Sequence, residues 1–295
     1  MTSPPTISVV IPTLKRAEEL ARTLDSVLAC DPQPAEIVVV DGDEAHSSRP
    51  AVDRAAEATD TPIRHVPSPP GSSRQRNRGL DLVTGNIVLF IDDDVRLTRD
   101  ALARLLDAFA VPTVVGATAN VVEIEGRRVG GMHSPIRKLL PGNRRQGSFT
   151  SYGYPHRIVD TDVPRDVELM YGCFMAARSE AARRVRFDEN LPGYGLAEDE
   201  DFAYRLAREG RIVYRPDIDV RHLNLGFRTM DRRRFSERVV VNRSYLFKKN
   251  FPQTAASKTR FALLISILFV HRLLNRDVAG ARGIIDGIRR RRVTS

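Results

Sequence analysis

Three consecutive carboxylates, Asp92-Asp93-Asp94, stand directly after the apolar run Ile87-Val88-Leu89-Phe90-Ile91. Neighbouring carboxylates repel and raise one another's pKa, so a triple Asp calls for a counter-charge. A divalent cation, Mg²⁺ or Mn²⁺, is the simplest one, because hard cations take oxygen ligands and bridge to phosphate. The same triplet would also serve as a solvated acidic turn ahead of the helix that begins near Asp100. A second acidic group, Glu198-Asp199-Glu200-Asp201, opens a helical stretch behind Pro192-Gly193-Tyr194-Gly195. Acids in a first turn are favoured by the macrodipole by about 0.3–1 kcal/mol each, so helix stability alone accounts for some of them. A carboxylate at a helix start, behind a Gly/Tyr loop, is also well placed as a general base. Asp41-Gly42-Asp43 ends another apolar run and is open between turn chemistry and a contact to a ribose or base. Arg74, Arg76 and Arg78 share one polar segment. Arginine suits phosphate through its forked donors, although a solvated helix face has the same pattern. A lone His such as His222 is a structural residue unless the fold brings it to a metal.

The elements that position these residues follow from periodicity. Ile7–Ile11, Glu36–Val40, Ile63–Val66 and Asn86–Ile91 are short, β-branched runs with the length of strands covered on both faces. The first is expected to stop at Pro12-Thr13. Helical spacing at Leu20, Leu24, Val27 and Leu28, a polar helix over 49–59 and a short helix over 73–82 separate them. Strands alternating with helices predict β-α-β units and a mostly parallel sheet. In such a sheet ligands bind beyond the carboxyl ends of the strands, where both Asp41 and the Asp92–Asp94 triplet fall. Downstream, the pattern predicts a helix over 100–109, a strand over 111–122, an extended segment over 166–175 and helices over 179–185 and 198–209. Ile212–Tyr214 and Val220–Leu223 read as two separate extended pieces. Residues 126–165 are rich in Gly, Pro and Arg and have little period, the composition of a functional loop or lid that contacts an acceptor or moves.

At 295 residues, 42% hydrophobic and 28% charged, the chain can hold one large α/β domain with an appendage. Cys30 and Cys173 form no disulfide framework and have no metal-ligand spacing, which suits reducing cytoplasm. The N-terminus lacks the basic start, apolar run and cleavage site of a signal peptide. No apolar run approaches the ~20 residues of a membrane-spanning helix. The net charge of +9 is unevenly placed: from Gly226 onward there are 17 Lys and Arg against 4 Asp and Glu. The predicted division is therefore 1–225, carrying the acidic site, and 226–295, a basic helical appendage. Within the appendage, Phe261–Val270 is the most apolar stretch of the chain. It is too short to span a bilayer and suits either protein packing or a membrane interface. Arg289-Arg290-Arg291-Arg292 reads as a frayed tail that would add attraction to an anionic membrane surface. Such a surface is one partner for this region, with the protein peripheral on the inner face of the membrane. Nucleic acid is not an expected partner.

Taken in order, four stretches resemble the family 2 glycosyltransferases, whose nucleotide-sugar-binding fold is named GT-A. They are Val9-Val10-Ile11-Pro12-Thr13, Ile37-Val38-Val39-Val40-Asp41, Leu89-Phe90-Ile91-Asp92-Asp93-Asp94, and Glu198-Asp199-Glu200-Asp201 with Arg205-Leu206. The resemblance covers roughly residues 6–225. It implies transfer of a sugar from a nucleoside-diphosphate donor to a glycan or lipid-linked acceptor, with inversion at the anomeric carbon. It places Pro12, Thr13 and Asp41 at the base pocket, and Asp92 and Asp94 in the metal-and-ribose acid motif with Asp94 the leading metal ligand. Asp199 falls at the general-base position, and His222 where some members have a further metal or phosphate contact. The set expected to bind the nucleotide sugar is Pro12, Thr13, Arg16, Asp41, Asp43, Arg76, Asn77, Asp92 and Asp93; the metal set is Asp92, Asp94 and His222. One departure is Asp41-Gly42-Asp43, where many members have Asp-Asp or Asp-Asn, which makes Asp43 an alternative partner of the base ring.

Other classes fit less of the chain. A sugar nucleotidyltransferase would carry a Gly-rich basic loop after the first strand, and Pro12-Thr13-Leu14-Lys15-Arg16 has no glycine. A haloacid-dehalogenase-like phosphatase also has Asp-x-Asp after a strand, but its motif continues to Thr where this chain has Arg96. A non-catalytic basic module for lipid or nucleic acid explains 226–295 and leaves the acid clusters idle.

Overall fold

A computed structural model describes residues 5–123, 145–159, 161–191, 196–223 and 231–290. Four strands, β1 (Ile7–Thr13), β2 (Glu36–Asp41), β3 (Ile63–Pro67) and β4 (Ile87–Ile91), run parallel in the order β3-β2-β1-β4. Their continuous apolar runs have the cause anticipated above. Val9 to Ile11, Ile37 to Val40 and Ile87 to Ile91 have no exposed surface at all, as strands with both faces covered require. Helices α1 (Ala17–Leu28), α2 (Arg49–Glu57) and α3 (Ser72–Leu80) make the crossovers. The chain steps from β1 to β2 to β3 on one side, then returns to lay β4 on the other side of β1. The connections leaving β1 and β4 part there, which opens a crevice at the tip that carries the Asp triplet.

The sheet is extended by β5 (Val95–Leu97), β6 (Val114–Glu123), β7 (Arg165–Val167), β8 (Phe174–Arg178) and β9 (Arg211–His222), with α4 (Ala101–Phe109), α5 (Ser179–Val185) and α6 (Glu198–Leu206) between them. The order beyond β4 is β8-β6-β9-β5, and β7 also pairs with β9. The result is a mixed sheet in which β1 to β4 are parallel.

Several boundaries differ from the periodicity reading. β1 continues through Pro12 and Thr13, because its pairing with β4 ends at Val10 and Pro12 pairs only with β2. Proline is tolerated where no ladder N–H is needed. Ile212–Tyr214 and Val220–His222 are parts of one strand. β6 steps from Arg215 to Asp219 as its partner, so Pro216 sits inside a bulge and not at a break. The extended segment over 166–175 resolves into β7 and β8. Val95–Leu97 forms a strand too short for periodicity to reveal. Much of the stretch 126–165, and the Pro192–Gly195 loop, lie outside the described residues.

By its internal contacts the chain divides into two compact units, Met1–Val129 with Val159–Leu223, and Gly130–Ile158 with Asn224–Ser295. The second holds α7 (Arg232–Asn250), α8 (Ala255–Leu274) and α9 (Val278–Arg290). Asp231 and Thr254 cap α7 and α8, accepting from the backbone N–H groups of Arg234 and Ser257. Phe247 stacks on Phe261 at 4.5 Å. The apolar stretch is amphipathic in place: Phe261, Leu264 and Ile265 are buried, and Leu263 and Val270 are exposed. Arg289 and Arg290 close α9, where Arg290 pairs with Glu237 at 2.7 Å, so the basic run begins as helix and not as a tail. Residues 291–295 lie outside the described set.

Glu36 ties the parallel strands together. Its buried carboxylate accepts from Ser8 Oγ (2.7 Å) on β1 and from Thr84 N (2.6 Å) and Oγ1 (2.7 Å) ahead of β4, and it pairs with Arg64 on β3. Burial pushes its pKa up, but the Thr84 and Ser8 hydrogen bonds and the Arg64 charge outweigh it and hold the group below 4.5. A lowered folded pKa contributes stability that is full above the unfolded value and is lost as pH falls through the folded one. Glu36→Gln is expected to cost about 2–3 kcal/mol at neutral pH. Denaturant titrations should find the gap from wild type narrowing below pH 4.5.

Candidate active site

The three aspartates at the β4 tip have three different partners. Asp92 Oδ1 accepts from Arg76 Nη2 at 2.8 Å. Asp93 accepts from Thr13 Oγ1 at 2.8 Å and Arg16 Nη1 at 3.1 Å, which ties the ends of β1 and β4 together. Burial raises the Asp93 pKa to about 6, against the pull of Arg16 and Thr13. Asp94 Oδ1 lies 3.1 Å from His222 Nε2, with Arg16 Nη1 3.5 Å from its other oxygen.

His222 reaches this tip through β5. The antiparallel pairing of β5 with β9 sets Val95 opposite His222, and Leu223 N donates to Asp94 O at 3.1 Å. One ligand atom each from Asp92, Asp94 and His222 lie within 4.8 Å of one another. Burial disfavours charge on His222, but the Cys173 thiol beside it and the Asp94 and Asp92 carboxylates prevail and raise its pKa to about 11. Two carboxylates and one imidazole are a donor set suited to Mg²⁺ or Mn²⁺, with the His tolerated by Mn²⁺, so the residues fit a divalent cation.

Arg76 joins this cluster to the second acidic group. α3 lies so close to β1 that a Cβ at Gly79 would stand 2.3 Å from Val10 Cγ1. One turn earlier, Arg76 is 3% exposed. Its guanidinium bridges Asp92 and Glu198 (Nη1 to Oε1, 2.9 Å), donates to Gly172 O at 3.1 Å and lies over the Phe187 ring at 5.5 Å. The paired carboxylates hold its pKa above that of a free Arg despite burial. Burial raises the pKa of Glu198, opposed by Arg76.

Asp199 is half-buried at the start of α6, after Ala197, whose φ of +73° is uncommon for a residue with a Cβ. Its oxygens accept from Glu200 N at 2.9 Å and Gly172 N at 3.1 Å. A Cβ at Gly172 would come within 3.1 Å of Asp199 Oδ2, so glycine is what lets the backbone approach. The Gly172 peptide therefore links Arg76, on its carbonyl side, to Asp199, on its amide side.

The other candidates have partners of their own. Asn77 grips the Phe187 backbone (Nδ2 to O and N to Oδ1, both 2.9 Å) and Glu189. Asp41 is fully buried and accepts from Asp43 N at 2.8 Å, from Ser48 and from His65. Asp43 is turned onto Ser47, whose hydroxyl bond at 2.6 Å lowers its pKa. Pro12 lies at the crevice end of β1. Glu198 and Gly172 were not singled out by sequence. Glu198 was one of four adjacent acids, and nothing in the spacing marks Gly172.

A parallel β3-β2-β1-β4 half-sheet with acids and a His converging at its switch point is the layout of an α/β protein of the GT-A class. The model of Glycosyl transferase family 2 matches residues 8–186, and the chain belongs to that family. The pre-mycofactocin glycosyltransferase of Mycobacterium tuberculosis is 29% identical over 219 residues, 73% of this chain and 42% of the relative. The succinoglycan biosynthesis protein ExoM of Rhizobium meliloti is 33% identical over 209 residues, covering 68% of this chain and 62% of the relative. The chain thus spans less than two thirds of these relatives' length. Among solved structures, the mannosyltransferase PcManGT of Pyrobaculum calidifontis, in complex with GDP-Man and Mn²⁺, aligns over 98% of this chain and 88% of its own. Its TM-score is 0.63 at 19% identity. S. aureus TarS 1-349 with UDP-GlcNAc aligns over 90% of this chain and 73% of its own, with a TM-score of 0.58 at 17% identity. Both share the fold. With family and fold in place, the phosphatase and binding-module readings fall away.

Removing the Arg76 side chain would leave Asp92 and Glu198 facing each other without their shared cation. Arg76→Ala is expected to destabilise the protein by about 3–5 kcal/mol, the cost of breaking a buried ion pair. Urea unfolding checks this, and a loss under 1 kcal/mol would remove Arg76 from that role.

Proposed function

We propose that this protein transfers a sugar from a nucleoside-diphosphate donor to an acceptor hydroxyl, with inversion at the anomeric carbon, using a divalent cation held by Asp92, Asp94 and His222. The observation that carries the reading is the convergence of those three side chains at the switch point of a family 2 chain. Bound there, Mg²⁺ or Mn²⁺ supplies Lewis-acid stabilisation of the negative charge growing on the leaving diphosphate. Arg16, a third exposed and already beside Asp93 and Asp94, adds a forked donor for the same phosphates. Asp93 holds Thr13 and Arg16 in place and so shapes the donor pocket.

Asp199 accepts the acceptor hydroxyl's proton as the new bond to the anomeric carbon forms. Two backbone donors fix its orientation, and the Gly172 peptide ties it to Arg76. Inversion requires the base and the leaving group on opposite faces of the sugar, an arrangement favoured by separate elements for the two clusters: the β4 tip for the cation, the α6 start for the base. The catalytic part is proposed as residues 1–225, with 226–295 a basic appendage. Relatives named for glycan synthesis, such as the succinoglycan protein, support a glycan or lipid-linked acceptor.

Thermal unfolding with UDP, GDP, dTDP and CMP, each with and without Mn²⁺, tests the donor site. At 100 times its dissociation constant a ligand stabilises the fold by about 2.7 kcal/mol. One diphosphate should do so only with Mn²⁺, and Asp94→Asn should abolish the shift. Asp199→Asn should keep the shift and lose about 10²–10⁴ in transfer rate. A variant that keeps both would overturn the assignment of the base.

The basic appendage supports attachment to an anionic membrane surface. Among the described residues no helix is long and apolar enough to cross a bilayer, but α8 exposes Leu263, Val270, Leu273 and Leu274. The protein should sediment with anionic vesicles at low salt and release as salt screens the attraction. Failure to sediment at low salt would count against it.

A further inference from the structure

A second cluster of ligating side chains stands at the tip of β2, apart from the three groups proposed to hold the catalytic cation. Asp41 ends β2, His65 lies on the neighbouring β3, and His46 belongs to the turn that follows β2. The parallel register sets Val39 opposite His65, two residues from Asp41. One ligand atom from each of the three lies within 4.8 Å of the others.

The geometry suits a small dication. Asp41 Oδ2 and His65 Nε2 are 3.1 Å apart, near the ~3.3 Å edge of a tetrahedron with bonds of about 2.0 Å. His46 adds the third position from a left-handed backbone, φ +50°, with its ring edge-on to His65 at 5.6 Å. A supporting shell is built around Asp41: Asp43 N donates to Oδ1 at 2.8 Å, and the Ser48 hydroxyl donates to Oδ2. Asp43 adds a second negative charge in the same turn and hydrogen-bonds Ser47 and Ala45.

Core packing explains this arrangement poorly. The His65 side chain is 3% exposed, yet its Nδ1 has no hydrogen-bond partner. An orphaned buried polar atom costs free energy and implies that the ring is held there for another reason. His46, by contrast, is exposed, which leaves the cluster open to solvent on one side.

We infer that Asp41, His46 and His65 form a second divalent-cation site of zinc type, which clasps the turn after β2 to β3. Two imidazoles and one carboxylate are a softer set than the two carboxylates and one imidazole at the β4 tip, and imidazole favours Zn²⁺ where carboxylates favour Mg²⁺ and Mn²⁺. The two clusters would therefore sort cations by chemistry within one sheet edge.

The test uses the full chain, stripped with chelator, and Zn²⁺ as the probe. Asp94→Asn is the background, because it weakens the β4 site. Isothermal titration should find one Zn²⁺ equivalent in that background, together with a rise in melting temperature. His46→Asn is the decisive variant, since Asn also accepts the left-handed backbone and His46 is exposed, so folding is preserved. It should weaken Zn²⁺ binding at least tenfold in the Asp94→Asn background and leave the Mn²⁺-dependent nucleotide shift of the otherwise wild-type chain unchanged. Zn²⁺ binding that is absent from Asp94→Asn, or that His46→Asn leaves intact, overturns the site. Absence of any Mn²⁺-dependent nucleotide shift in the wild-type chain, with the Zn²⁺ results as expected, would count against the donor reading alone.

Discussion

A buried guanidinium cannot be left unpaired, and that constraint organises this site. Arg76 is enclosed on all sides and answers to Asp92 at the end of β4 and Glu198 at the start of α6. Neither acid can move without leaving the cation exposed to an apolar interior that includes Phe187. Since Asp92 belongs to the proposed cation cluster and Glu198 is the neighbour of the proposed base, one side chain fixes the relation between two separate clusters. The Gly172 peptide strengthens this by receiving Arg76 on its carbonyl and giving its N–H to Asp199.

The β4 tip handles its charge by division. Each Asp is answered from a different segment: Asp92 from α3, Asp93 from the β1 end, and Asp94 from β9. The raised pKa values of Asp93 and His222 have different origins: burial lifts the Asp93 carboxyl, whereas on His222 burial opposes the rise and the neighbouring Cys173, Asp94 and Asp92 outweigh it. Arg16 and Arg76 supply positive charge to the cluster.

Much of this was legible in the sequence, and the limits are physical. Short apolar runs identified β1, β2 and β4, the last two ending in acids, because a strand covered on both faces is mostly apolar. The order of acids and strands was enough to anticipate the family. β5 was not visible: three residues have no period, and Val95–Leu97 forms a strand only because β9 lies beside it. That small strand is what brings His222 to Asp94, so the meaning of the histidine was hidden with it. The partners of Asn77 and Asp41 were equally hidden. Asn77 holds the Phe187 backbone, and Asp41 accepts from Ser48 and His65. Side-chain allegiance of this kind is decided by the packed fold and has no local signature.

The pairing of Val95 with His222 also has a meaning for biosynthesis. A ribosome adds about 5–20 residues per second, so the acid triplet leaves the tunnel many seconds before the strand that ends in His222. Through that interval the β4 tip has its carboxylates and no imidazole, and β5 has no edge to pair with. A chain arrested before β9 would hold its acids in an unfinished cradle. Completion of the last strand of the sheet is therefore also the event that brings the third side chain of the proposed cation cluster into place.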